Sequence, residues 1–455
     1  MTRRGLRARL VCAASLAVLV ASFVAVAGAP AALQVPPVAY TERTLPNGLQ
    51  FIAVRNSASP TVSVQVWYHV GAKDDPAGRS GFAHLFEHLM FKGTRYLRSE
   101  QFDRLTEDVG GANNAFTSDD VTAYQDIVPS NHLETLLWAE AERLSNLNVV
   151  QPNFESERAV VKEEYRQRVL ASPYGRFSNA IASKPYQSHP YRHPAIGSIE
   201  DLEAANLDDV TAFHATYYRP DNATLVVAGD FDPPQLDAWV DRYFAPVRRP
   251  ATPVPHVTAT EPAWTHDRSI ALTGPKVPLP AVALAWLAPP VTSPDTAALR
   301  IAAALLSGGE SSRLNQSLVY RQQLAAQAGF EADLRAGPGL LVASAIAAGD
   351  KPLAEVKAGL LAEVLRMARQ PVSATELAKV KTQLLTDALL ARQTPEGLGA
   401  AVAEAAVLEG GAAQVNVGLV ALQNVTAAEV QRVMRRYLNG THKVTIGYMQ
   451  EGAAK

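Results

Sequence analysis

The sequence predicts an α+β protein made of two homologous, duplicated α/β domains, each a sheet covered by helices, joined by a proline-rich linker. Three observations predict it. Past residue 36, short apolar strand patterns such as "LQFIAVR" and "TVSVQVWYHV" alternate with amphipathic helical patterns. A stretch rich in proline, "APVRRPATPVPHVTATEPAW" from Ala245 to Trp264, interrupts that periodicity near the middle and reads as an extended linker. Finally, "TVSVQVWYHVGAKDDPAGRSGFAHLFEHLMFKGT" in the first half is answered by "AVALAWLAPPVTSPDTAALRIAAALLSGGESSRL" in the second, each a strand, a turn pairing Asp with Pro, a helix and then glycine.

In chain order, residues 1–29 begin with basic residues, continue through an apolar stretch from about Leu10 to Val26, and offer small residues for cleavage near Ala27 or Ala29. This reads as a bacterial export signal, so a periplasmic or secreted location is expected, with an uncleaved membrane anchor as the alternative. The one cysteine, Cys12, lies inside the segment, which leaves a mature chain without disulfides or cysteine ligands. Residues 36–244 form the expected N-terminal domain, 245–268 the linker and 269–450 a C-terminal domain. With 47% hydrophobic and 19% charged residues among 455, the chain can bury more than one core. A formal charge of −2 provides no overall basic field, and no nucleic-acid partner is expected.

The helix expected from about Ser80, with Ser80 as N-cap and Gly93 as its stop, carries "GFAHLFEHLMFKGT". His84 and His88 are i and i+4, so both imidazoles leave one face a turn apart and can share a metal ion. Glu87 projects close to the same place. An H-x-x-E-H pentad arises by accident in on the order of one such chain in a hundred, and burying three ionisable groups unpaired would cost several kcal/mol. The second half repeats the helix as "AALRIAAALL" without histidine or glutamate, so its domain is expected to lack a metal site.

The pentad is the inverted zincin pattern, and with it the chain resembles the pitrilysin or insulinase family of zinc peptidases, which includes mitochondrial processing peptidase. The resemblance extends through "LPNGLQ", "GGANNAFTSDDVTAY", "ERAVVKEEYRQRV", "HPYRHPAIGSIEDL" and "YYRPDNATLVVAGDFD", in family order. It implies one zinc ion per chain, with a third ligand at Glu164, which stands 76 positions after His88. Glu157, seven residues before Glu164 on the same helix face, would tune the site, while the neighbouring Glu163 points away. Glu87 would be the catalytic base, and Asn114 and Ala115 of "NAFTS" would hold the backbone of a peptide substrate.

The family also uses an arginine and a tyrosine from a C-terminal half. Aligning "SSRL" puts Val319 and Ala326 at those positions, and neither can donate the required hydrogen bond. The expectation is therefore an exported zinc endopeptidase acting on unfolded peptides or small proteins, with a homologous subunit supplying the missing pair. The alternative is a non-catalytic structural or chaperone-like subunit.

Overall fold

The computed structural model describes residues 35–452; the expected export signal and Cys12 lie outside them. The first half supplies β1 (Thr41–Thr44), β2 (Gln50–Arg55), β3 (Thr61–Tyr68), β4 (Ala112–Thr117), β5 (Thr122–Pro129) and β6 (Ala223–Gly229). The second supplies β7 (Arg268–Gly274), β8 (Ala281–Ala288), β9 (Ala325–Asp333), β10 (Gly339–Ala347) and β11 (Val444–Gln450). They form two sheets, ordered β1-β2-β6-β3-β5-β4 and β7-β11-β8-β10-β9. Apart from β1 the two paths are identical: a parallel pair, β2 with β6 or β7 with β11, is followed by three antiparallel pairings. The duplication expected from the rhyme is thus written in strand order.

Helices follow the same logic. The first half carries α1 (Phe82–Leu89), α2 (Gln101–Glu107), α3 (Leu133–Asn146), α4 (Gln151–Tyr165), α5 (Gly175–Ser183), α6 (Ile199–Ala204), α7 (Leu207–Tyr217) and α8 (Pro233–Tyr243). The second carries α9 (Thr296–Ser307), α10 (Leu353–Arg369), α11 (Ala374–Ala391), α12 (Pro395–Val407), α13 (Gln414–Asn424) and α14 (Ala427–Leu438). Among the described residues no helix is long and apolar enough to cross a membrane.

Central strands are buried on both faces, and their period of two sorts residues between two cores. On β3, Val62, Val64, Val66 and Tyr68 join Leu85, Phe86 and Leu89 of α1 in one core. Trp67, with Ile52, Val54, Val226 and Ala228, faces the opposite way, onto Leu398, Val402 and Ala403 of α12, a helix of the second half. Gln65 on that face donates to Glu396 O at 2.8 Å and accepts from Trp67 Nε1 at 3.1 Å, so the buried amide is satisfied. Gly399 allows the close approach: a Cβ there would sit 2.8 Å from Gln65 Nε2.

The exchange is reciprocal. Ala281, Ala283 and Ala285 of β8, with Leu340 and Val342 of β10, receive Phe177 and Ala180 of α5, together with Tyr186 and Tyr191 from the first half. Each half therefore covers the outer sheet face of the other. Between Tyr243 and Arg268 there is no helix or strand, yet this stretch is docked. Trp264 is buried in the same core, and the Glu261 carboxylate accepts from the backbone of Gln187, Ser188 and His189.

Candidate metal centre

The pentad helix starts differently from the sequence expectation. Its N-cap is Gly81, held at φ 91°, and Ser80 is not the cap. Ser80 instead gives its N–H and hydroxyl to Asp201 of α6. The first helical N–H groups are satisfied by Asp75, which accepts from Gly81 N at 2.7 Å and Ala83 N at 2.8 Å. Gly81 lies against Gly197, itself at φ 74°: a Cβ on Gly81 would come 2.9 Å from Ile196 O, and one on Gly197 would come 2.3 Å from Ser80 O. Only glycine fits at either position. At the other end the helix finishes at Leu89, short of the expected stop at Gly93.

Phe82, Leu85, Phe86 and Leu89 anchor α1 in the core. The opposite stripe carries His84, Glu87 and His88 toward α4, where Glu164 occupies the last turn. His84, His88 and Glu164 each offer a ligand atom, and these atoms all lie within 4.8 Å of one another. The Nε2 atoms of His84 and His88 stand 3.6 Å and 3.8 Å from the Glu164 oxygens. That is too long for hydrogen bonds. A tetrahedral ion with bonds of about 2.1 Å holds its ligands roughly 3.4 Å apart, so the spacing suits a small cation. Glu164 Oε2 is buried without a hydrogen-bond partner, an acceptor that the protein itself leaves unused. Glu163 faces outward, bonded to Arg166 and Gln167.

The groups around this triad also have defined places. Glu157 Oε2 lies 3.4 Å from His88 Nδ1, while its other oxygen meets Lys92 Nζ at 2.9 Å. A proton on Nδ1 shared with Glu157 leaves the Nε2 lone pair free to ligate. Burial alone would depress His88, but the Glu157 bond and the charges of Glu164 and Glu87 outweigh it and raise its pKa. Burial would likewise raise Glu157, and its bonds to His88 and Lys92 instead hold it low. His84 has no such carboxylate partner, and burial, with the charges of His88 and Arg168, pushes its pKa down to about 3. It is neutral at neutral pH, the form that binds metal.

Glu87 is held by a residue that sequence reasoning missed. Thr117, the last residue of β4, donates its hydroxyl to Glu87 Oε2 at 2.6 Å. Burial raises the Glu87 pKa against the opposing pull of that bond and of His88. Nothing local in the sequence linked residues 87 and 117; the contact depends on β4 returning beside α1. Among the described residues β4 pairs with β5 alone and forms one edge of its sheet, so Asn114 and Ala115 stand on an edge unpaired there, about 10 Å or less along the strand from Thr117.

Beside His84 opens a cleft of about 380 Å³, lined by Thr117, Arg168, Tyr174, Ser178 and Asn179 among others, all from the first half. Val319 and Ala326 do not line it. Val319 sits in a π-helical stretch, Asn315–Arg321, and Ala326 lies on strand β9, so the two positions belong to different elements.

Comparison with known proteins bears on this arrangement. The family model described as insulinase (peptidase family M16) matches residues 51–198, and the model described as the peptidase M16 inactive domain matches residues 204–384. A Helicobacter pylori protein named zinc protease PqqE is 35% identical over 289 residues, covering 63% of this chain and 65% of that protein. An uncharacterized zinc protease of Mycobacterium leprae is 32% identical over 201 residues, 44% of this chain and 45% of that one. In both, the matched region spans less than two thirds of the relative's length. The crystal structure of a protease from Helicobacter pylori superposes with a TM-score of 0.86 at 27% identity, covering 90% of this chain and all of that one.

Proposed function

The chain belongs to the M16 (insulinase) peptidase family, and from that premise we propose that it is a zinc-dependent endopeptidase. It hydrolyses peptide bonds of unfolded peptides or small proteins, is exported, and works as the metal-bearing subunit of a heterodimer. The observation that carries this reading is the convergence of two imidazole nitrogens and the unpartnered Glu164 oxygen beside a carboxylate, Glu87, fixed by Thr117.

His84, His88 and Glu164 would hold one zinc ion, which when bound supplies a Lewis acid and lowers the pKa of a water toward about 7. Glu87 takes the proton of the attacking water and returns it to the leaving amine. Thr117 fixes which Glu87 oxygen faces the substrate. Glu157 orients His88 through Nδ1, and Lys92 keeps Glu157 ionised. The free edge of β4 pairs with an extended substrate backbone at Asn114 and Ala115, which aligns the scissile bond with the site.

A second reading, a non-catalytic structural or chaperone-like subunit, is favoured by Val319 and Ala326, which supply neither guanidinium nor phenol. A digest of unstructured peptides, read by mass spectrometry with and without a homologous subunit bearing the arginine and tyrosine, separates the two. Cleavage that requires the partner is expected. Full activity of the chain alone would refute the heterodimer, and no cleavage in either mixture would favour the non-catalytic reading.

A further inference from the structure

One cation at the site belongs to this chain and has no part in the chemistry above. After Tyr165, the residue that follows Glu164, the backbone leaves α-helical geometry for a π-helical stretch, Arg166–Ala171, closed by a bond from Ser172 N to Gln167 O. Such wide turns re-aim the side chains they carry. Arg168 sits in this stretch, on the wall of the cleft beside His84. Its closest carboxylate contact is Glu164 Oε2 at 3.6 Å, and 68% of its side chain remains exposed. Among the described residues lining that cleft Arg168 is the one cationic side chain, and none is acidic. The neighbouring walls carry neutral hydrogen-bonding groups, those of Thr117, Ser172, Tyr174, Ser178 and Asn179. The space, about 380 Å³, is large enough for an amino-acid side chain and opens directly onto the ligand His84.

We propose that this cleft is a substrate subsite in which Arg168 selects a carboxylate next to the scissile bond. The carboxylate belongs either to a Glu or Asp side chain or to the chain terminus of a short peptide. A guanidinium presents paired donors that match a carboxylate, and Ser178 and Asn179 can bond the remaining lone pairs. When a cation shares the Glu164 charge, the weak 3.6 Å contact gives Arg168 no reason to stay there. The inference deepens the peptidase reading and rests on it.

Binding to the zinc-loaded Glu87→Gln chain, with its partner subunit where required, provides a test that does not depend on turnover. Peptides of one sequence, amidated at the C-terminus, carry Glu, Gln or Lys at each position flanking the scissile bond; one further peptide carries Gln and a free C-terminus. Fluorescence anisotropy should show one Glu-bearing peptide binding about tenfold tighter than its Gln counterpart. In Arg168→Gln that ratio should fall to near one, and in Arg168→Glu the Lys peptide should become the tightest. A gain confined to the free C-terminus assigns the pocket to the terminal carboxylate. Absence of both preferences, for Glu over Gln and for the free over the amidated C-terminus, or a preference unmoved by either substitution, overturns the proposal. So does equal weakening of all peptides, which would leave Arg168 only the role of neutralising Glu164. Digestion with Glu87 intact, by the parent and by Arg168→Gln, separates the two levels: zinc-dependent cleavage with the same preference in both removes the subsite alone, whereas absence of zinc-dependent cleavage in the parent removes the peptidase reading beneath it.

Discussion

A carboxylate that must act as a base cannot also be a ligand, and in the proposed site the separation of these roles would come down to single hydrogen bonds. Glu87 is committed to Thr117 on one oxygen, whereas Glu164 Oε2 is buried without a hydrogen-bond partner among the described residues. Glu157, about two helical turns before Glu164, is bound on both oxygens by His88 and Lys92. Its substitution tests the tuning role: Glu157→Gln should weaken zinc binding by roughly 10- to 100-fold, as loss of a partner behind a ligand does. Competitive chelator titration measures this, and an unchanged affinity would remove Glu157 from the site. At this scale the sequence was informative where the chemistry is local. The i, i+4 histidines declare themselves because helix geometry fixes their neighbours, and helix phase separates Glu164 from Glu163. Thr117 and Arg168 were silent. One depends on a strand that folds back onto α1, and the other on a change of helix type that no residue pattern announces.

Elements are held in place by a few charged groups whose titration can be followed. Arg313 of "SSRL" donates from Nε and a terminal nitrogen to the two oxygens of Glu376, at 3.0 Å and 3.1 Å. Glu376 also closes a capping box with Ser373 at the start of α11. The Arg313 bond, helped by Ser373 against the opposing effect of burial, lowers the Glu376 pKa from 4.5 to about 2. Because the folded pKa lies below the unfolded one, the stabilisation is complete above about pH 4.5 and is lost as the pH falls toward 2. Glu376 is more than a third exposed, so solvent screening limits the effect to about 1 kcal/mol at pH 7. Denaturant unfolding should show Glu376→Gln less stable than the parent by that amount at pH 7, with the gap narrowing between pH 4.5 and 3. A gap independent of pH would contradict the assignment. Strands β2 and β3 followed from periodicity, but the start of α1 did not. Ser80 has the right chemistry for a cap, yet Asp201 claims it, and the close Gly81–Gly197 backbone contact fixes the turn instead.

For the molecule as a whole, the duplication was legible in the rhyme of two segments, but the reciprocal exchange of helices was not. Period-two patterns show that a strand face is buried and say nothing of which half covers it. α12 covers Ile52, Val54, Trp67, Val226 and Ala228, and α5 covers the alanine face of β8. Each large apolar side chain uncovered would forfeit about 1.5–3 kcal/mol, against a domain stability of about 5–15 kcal/mol. Residues 36–244 expressed alone should therefore fail to give a cooperative, protease-resistant monomer, whereas the whole chain should unfold in one transition. A separately stable first half, seen by limited proteolysis and thermal melting, would contradict the interlocked arrangement.

The proposed function requires that His84, His88 and Glu164 hold one zinc ion, with Glu87 beside it, for peptides to be hydrolysed. Metal-stripped protein, combined with its partner subunit where required, can be titrated with zinc while cleavage of an unstructured peptide is followed. Activity should rise to a plateau at one equivalent per chain, fall by at least about 100-fold in Glu87→Gln although zinc still binds, and be lost together with zinc binding in His88→Ala. Cleavage that persists in the stripped protein, or that is unchanged in Glu87→Gln, would contradict it.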